Sequence, residues 1–184
     1  MAHDVSELRD ESGPNLSALA LTLKQSCVEL MADYGVRVTP QKWRVEATEW
    51  SPTLAAQVDF KGRYLYGSVV LSATRGVILE TAQRAAGMET EELRSLADWN
   101  RELANQLIGR VKNKLRTQEV SVDVGVPRPV ASAGPALDYD VRQRFSCSAG
   151  TLSLFLAAVF DGGLVLGEGN VDDGLPSEGE LLLF

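Results

Sequence analysis

Apolar positions in residues 16–35, LSALALTLKQSCVELMADYG, recur at Leu19, Leu23, Cys27 and Leu30. Steps of three and four put them on one face of a helix. Asn15 is placed to cap that helix and Gly35 to stop it. The period then changes. WRVEATEW (43–50) and LAAQVDF (54–60) alternate in part between apolar and polar residues, and Lys61-Gly62 offers a turn into RYLYGSVVLS (63–72). This pattern predicts an antiparallel meander, with the Ser51-Pro52 break ending its first strand. Helical spacing returns in RGVILETAQRAAG (75–87), with Gly87 as C-cap. It continues in ETEELRSLADWNRELANQLIGRVKNKLRT (89–117), acidic at its start and basic at its end as the helix dipole prefers. EVSVDVGVP (119–127) alternates as a strand with Val120, Val122, Val124 and Val126 on one face, and RPVASAGPA (128–136) has the composition of a loop. YDVRQRFSCS and TLSLFLAAVF form a closing hairpin around Ala149-Gly150. The fold class expected is α+β, an antiparallel sheet with long helices packed on one face.

The periodic region spans residues 15–160, one domain. Residues 1–14 are polar and are expected to be mobile, and residues 161–184 are an acidic, glycine-rich tail. That tail is expected to be mobile, or docked only through its last four residues. A formal net charge of −7 argues against a nucleic-acid partner bound through a broad basic surface. Cys27 and Cys147 lie far apart and form no Cys-x-x-Cys pair, and His3 is the sole histidine. A histidine-based metal site and a Ser-His-Asp triad are thereby excluded. The leader MAHDVSELRDESGPN lacks the basic stretch and apolar run of a signal peptide, and no apolar run is long enough to span a bilayer. The expected location is the cytoplasm, with no membrane contact.

One helical stretch, DWNRELANQLIGRVKNKL (98–115), carries more than its apolar spacing explains. At about 100° per residue, Leu96, Leu103, Leu107 and Val111 share one side, flanked by Ile108 and Leu115. Asp98, Glu102, Asn105, Gly109 and Lys112 form the opposite stripe. Charged residues on an outer face are ordinarily just solvated. Glycine is different: in a helix interior it costs about 1 kcal/mol relative to alanine, while allowing another surface to approach the backbone. Trp99, beside the stripe, reads as a half-buried packing residue.

The same stretch resembles the signature helix of the CheC/CheX/FliY chemotaxis phosphatases, in which Asp or Ser is followed after three residues by Glu and after two more by Asn. Asp98, Glu102 and Asn105 match that pattern. GRYLYGSVVLSATRGVILETAQRAAG before the helix and VSVDVGVPRPVASAG after it resemble CheX in particular. The similarity covers residues 15–160 and is clearest between Gly62 and Gly134. The first helix has no Glu-x-x-Asn, a departure from the CheC type that favours one active surface per subunit. The tail after Asp161 lies outside the similarity.

The resemblance implies a phosphatase that removes the phosphoryl group from the aspartyl phosphate of a response-regulator receiver domain. Asn105 would orient the attacking water, and Glu102 would pair with the receiver's lysine. Asp98, Gly109 and Lys112 would contact the partner. No metal or organic cofactor of the chain's own is implied, because the receiver supplies Mg2+. A homodimer with sheets joined at an edge is also implied. The rival readings are a non-catalytic module of the same fold that binds a receiver or a flagellar-switch protein, and an unrelated α+β domain whose stripe is plain surface. A pure binder has no need of the Asn105 amide.

Overall fold

A helix with one apolar side must lay it against another apolar surface, and here that surface is one face of a sheet. The computed structural model describes residues 13–42, 53–87, 92–130 and 139–167. In chain order these form α1 (Gly13–Asp33), β1 (Thr39–Gln41), β2 (Thr53–Gly62), β3 (Leu65–Thr74), α2 (Arg75–Ala86), α3 (Leu93–Arg116), β4 (Val122–Val124), β5 (Arg128–Val130), β6 (Val141–Cys147) and β7 (Gly150–Phe160). The sheet is seven-stranded, in the order β1-β6-β7-β3-β2-β4, with β5 also on β2. All of these pairings are antiparallel. The fold is α+β, with the helices on one face.

Alternation along the strands decides which side chains meet the helices. Val69 and Leu71 of β3, with Val58 and Phe60 of β2, join Leu19 and Leu23 of α1, Ile78 of α2 and Leu103 and Leu107 of α3 in the main core. Val70 points the other way and packs with Ala55 and Phe155 in a small second cluster, closed by Val130 and Tyr139. Cys27 is buried in the main core, and burial pushes its thiol up to about 12. It stays a thiol and acts as a small apolar residue.

The closing hairpin and the C-cap of α2 follow the sequence expectation: the turn joins Cys147 to Gly150, and Gly87 takes the left-handed conformation. Other elements differ, each for a physical reason. The β2–β3 turn falls at Arg63 and Tyr64, because Lys61 still pairs with Tyr66 and Gly62 with Val122. RPVASAGPA is not wholly a loop, since Arg128–Val130 pairs with Gln57–Ala55 of β2. Proline is tolerated on such an edge strand.

Between the pairs Phe60↔Val124 and Gln57↔Arg128, β2 has two residues, Val58 and Asp59. The edge chain has three, Gly125, Val126 and Pro127. This bulge of one residue reverses the alternation. Val120 and Val122 therefore face the core as expected, but Val126 is 87% exposed and Val130 packs on the opposite face. The expected strand WRVEATEW lies outside the described residues, as does residue range 1–12. β1 is too short for its pattern to be seen in the sequence.

Asn15 also departs from expectation. It sits within the first turn of α1 and does not precede it. Its Nδ2 donates to the Leu164 carbonyl and its Oδ1 accepts from the Leu166 amide, both at 2.7 Å. Leu166 is buried, so the chain after β7 is docked at once and not only through its end. Residues 168–184, LLLF included, lie outside the described residues. Among the described residues, no helix is long and apolar enough to cross a membrane.

Leu107 is fully buried between α3 and the sheet, so Leu107→Ala is expected to cost about 2–5 kcal/mol in urea unfolding. A cost below about 1 kcal/mol would contradict this packing. Asn15→Ala should lower stability by about 1–2 kcal/mol through loss of two hydrogen bonds and speed amide exchange at Leu166. Unchanged exchange would mean that Asn15 does not hold the segment.

Candidate functional site

The geometry of α3 follows from its buried side. Leu96, Asn100, Leu103, Ala104, Leu107, Ile108, Val111 and Leu115 are buried. With that side laid down, Asp98, Glu102 and Asn105 are exposed on the other, and Gly109 and Lys112 are half-buried beside them. All five residues of the sequence-derived stripe thus share one outward face. Asn105 makes no side-chain hydrogen bond to a described residue, so its amide is free to meet another molecule. Asp98 is engaged with Arg101 in an ion pair along the same helix. A Cβ added at Gly109 would have no atom within 4 Å. Packing inside the chain therefore does not require glycine there.

Glu102 is held from beneath. Gln106, one turn on, donates from Nε2 to Glu102 Oε1 at 2.8 Å. Tyr34 donates its hydroxyl to Gln106 Oε1 at 2.6 Å. The Tyr34 ring meets Trp99 edge to face, with centroids 5.8 Å apart. Trp99 Nε1 donates to Thr81 Oγ1 of α2 at 3.0 Å. Trp99 is thus the half-buried packing residue expected. Sequence reasoning missed Tyr34 and Gln106. Gln106 carries a legible signal, four residues after Glu102, whereas Tyr34 carries none.

Ion pairs tie α1 to α3 in antiparallel order. Asp33 meets Arg110, and Glu29 meets Lys114 at 2.7 Å. Asn100 was also missed: it lies on the apolar side, only 1% exposed, with its Oδ1 unpartnered. Nothing among the described residues explains that oxygen. The described residues include no group of three or more His, Cys, Asp or Glu side chains that could hold a metal ion. What α3 offers is a carboxylate and an amide, both exposed on the outward side of one helix.

The family model of chemotaxis phosphatase CheX matches residues 54–149, a span that contains all of α3. The chain belongs to the CheX family. Comparison with curated proteins returned no match. Among solved structures, the chain is similar to the chemotaxis protein CheX from Vibrio vulnificus, at 18% identity and a TM-score of 0.62 over 74% of this chain and 96% of that one. It is also similar to a chemotactic CheC-like protein from Shewanella oneidensis, at 17% identity and a TM-score of 0.63 over 77% and 97%. A third is CheX in the CheX–CheY–BeF3–Mg2+ complex from Borrelia burgdorferi, at 12% identity and a TM-score of 0.58 over 75% and 96%. Identities this low speak for a shared CheX fold alone.

The open space at Gly109 makes its stability effect testable on the free protein. Gly109→Ala should raise stability by about 0.5–1 kcal/mol in thermal or urea unfolding. A destabilised variant would show that the helix surface is covered at this position.

Proposed function

We propose that this CheX-family chain dephosphorylates the aspartyl phosphate of a CheY-like receiver domain, with Glu102 and Asn105 as the working pair. The observation that carries the reading is their joint exposure on α3, one turn apart, with the Asn105 amide uncommitted. The partner class is supported by the Borrelia burgdorferi relative, whose structure is a complex with CheY, BeF3 and Mg2+.

Hydrolysis of an acyl phosphate asks mainly for positioning and for stabilisation of charge on the phosphoryl oxygens. The receiver carries the phosphorylated aspartate and brings Mg2+ and a lysine. Asn105 can supply the missing element, since one amide both accepts a hydrogen bond from water and donates one. Held in line, the water oxygen forms a bond to phosphorus as the bond to the aspartyl oxygen breaks. The products are a free aspartate carboxylate and inorganic phosphate, which retains the protons of the water. Glu102 pairs with the receiver's lysine and sets the docking angle. Asp98 and Lys112 contact the partner at either end of the stripe, and the bare backbone at Gly109 lets it approach closely. Gly109→Ala, stabilising alone, should weaken docking.

A homodimer joined sheet edge to sheet edge belongs to the same reading; of the two outer edges of the described sheet, one carries Pro40 in β1. The other edge is blunted by the bulge at Val126 and by Pro127 and Pro129.

The test follows decay of a phosphorylated CheY-type receiver with and without the protein. Asn105→Ala should lower the accelerated rate by about 10²-fold or more while leaving receiver binding nearly intact. Glu102→Ala should raise KM by about tenfold or more, as expected for loss of a charge-assisted contact. Both side chains are exposed, so neither change should cost more than about 0.5 kcal/mol of stability. Wild-type behaviour of Asn105→Ala would remove the phosphatase assignment. Binding without any acceleration by the wild-type protein would favour the non-catalytic module.

A further inference from the structure

The carboxylate of Glu102 is tied to parts of the fold that the signature pattern does not include. We propose that Tyr34 and Gln106 are positioning residues, which set the orientation of Glu102 before the receiver docks. This inference rests on the reading of Glu102 as the docking carboxylate.

The chemistry of the chain of hydrogen bonds fixes its direction. A carboxylate offers only acceptors, so the Gln106 group facing Glu102 must be its NH2. The amide oxygen then faces Tyr34, whose hydroxyl must donate to it. The carboxylate selects the amide orientation, and the Tyr34 hydroxyl pins the amide in that orientation from its oxygen side. Without that donor, Gln106 keeps only its bond to Glu102, and both side chains of the i,i+4 pair are free to swing together into solvent.

Tyr34 is itself held in place. It follows α1 in a turn where Gly35 has φ +67°, with the Gly35 amide on the Ala32 carbonyl at 2.8 Å. Arg84 of α2 donates from Nη1 to the Gly35 carbonyl at 3.1 Å, and its Nη2 meets Glu80 at 2.6 Å. The Tyr34 ring rests edge-on against Trp99, and Trp99 is anchored on Thr81, which is fully buried. The Thr81 hydroxyl oxygen lies 3.0 Å from the Val77 carbonyl and 2.9 Å from that of Ile78, so it donates within α2 while accepting from the indole. All three described helices thus converge beneath one exposed carboxylate. An isolated i,i+4 pair on a helix surface would be a weak restraint. A restraint anchored in a neighbouring helix keeps Glu102 out of the many rotamers that docking would otherwise have to select against.

The measurement is a double-mutant cycle on receiver dephosphorylation, with Tyr34→Phe and Glu102→Ala made singly and together, and Gln106→Met as a second route. Thermal unfolding of each variant accompanies the kinetics. Tyr34→Phe keeps the ring against Trp99 and removes only the hydroxyl. It should raise KM by about threefold to tenfold and leave kcat within about twofold, because Asn105 is untouched. Gln106→Met should do the same. In the Glu102→Ala background, Tyr34→Phe should have no further effect, since nothing is left to position. A purely structural tyrosine would instead lower stability and act equally in both backgrounds.

If Glu102→Ala raises KM but Tyr34→Phe and Gln106→Met do not, the positioning role is wrong and the docking reading stands. Additive effects of Tyr34→Phe and Glu102→Ala would overturn it in the same way. If Glu102→Ala leaves KM unchanged, the docking reading fails and this inference fails with it.

Discussion

Burial of the apolar side of α3 against the sheet is the constraint on which the rest depends. A helix is rigid in rotation once its apolar stripe is laid down, because 3.6 residues per turn leave no freedom to turn one side chain without the others. Leu96, Leu103, Leu107 and Val111 are buried, and their burial obliges Asp98, Glu102, Asn105 and Gly109 to face out. A fully buried leucine contributes about 1.5–3 kcal/mol. The outward stripe costs far less, chiefly the helix propensity lost at one glycine. The core can therefore carry the site without the site contributing to the core.

Rotation of α3 is settled by the sheet, but its side chains are tuned by the other helices. Asp33–Arg110 and Glu29–Lys114 are exposed pairs, each of small worth in water. The contacts of Tyr34, Trp99 and Thr81 differ because they combine ring packing with directed hydrogen bonds in a partly dry setting. A site on a helix supported in this way holds its geometry better than one on a loop. That suits the proposed chemistry, in which the partner brings most of the reacting groups and the helper must only be in the right place.

The sheet plays its part through its two faces. Among the described residues, its inner face is filled by three helices and its outer face carries only the small cluster around Val70 and Phe155. The bulge at Val126 sends one edge chain from the inner face to the outer one, so that Val122 and Val130 serve different cores. One inserted residue has this effect because side chains alternate with a period of two.

Much of this was present in local order. The phase of α3, the left-handed cap at Gly87, the closing hairpin and the outward stripe all follow from spacings within one element, and each agrees with the structure. Family membership was also legible, because Asp98, Glu102 and Asn105 keep their spacing between recognisable neighbours. What the sequence could not determine are the events between residues distant in the chain. Asn15 looks like a cap locally, yet its amide is used by a backbone about 150 residues away. Val126 continues a clean alternation until pairing with β2 inserts an extra residue. Tyr34 follows one helix and gains its meaning only beside Gln106 of another. Periodicity reports how one segment divides between apolar and polar surroundings; which hydrogen-bonding groups then meet is decided by the packing of segments on each other.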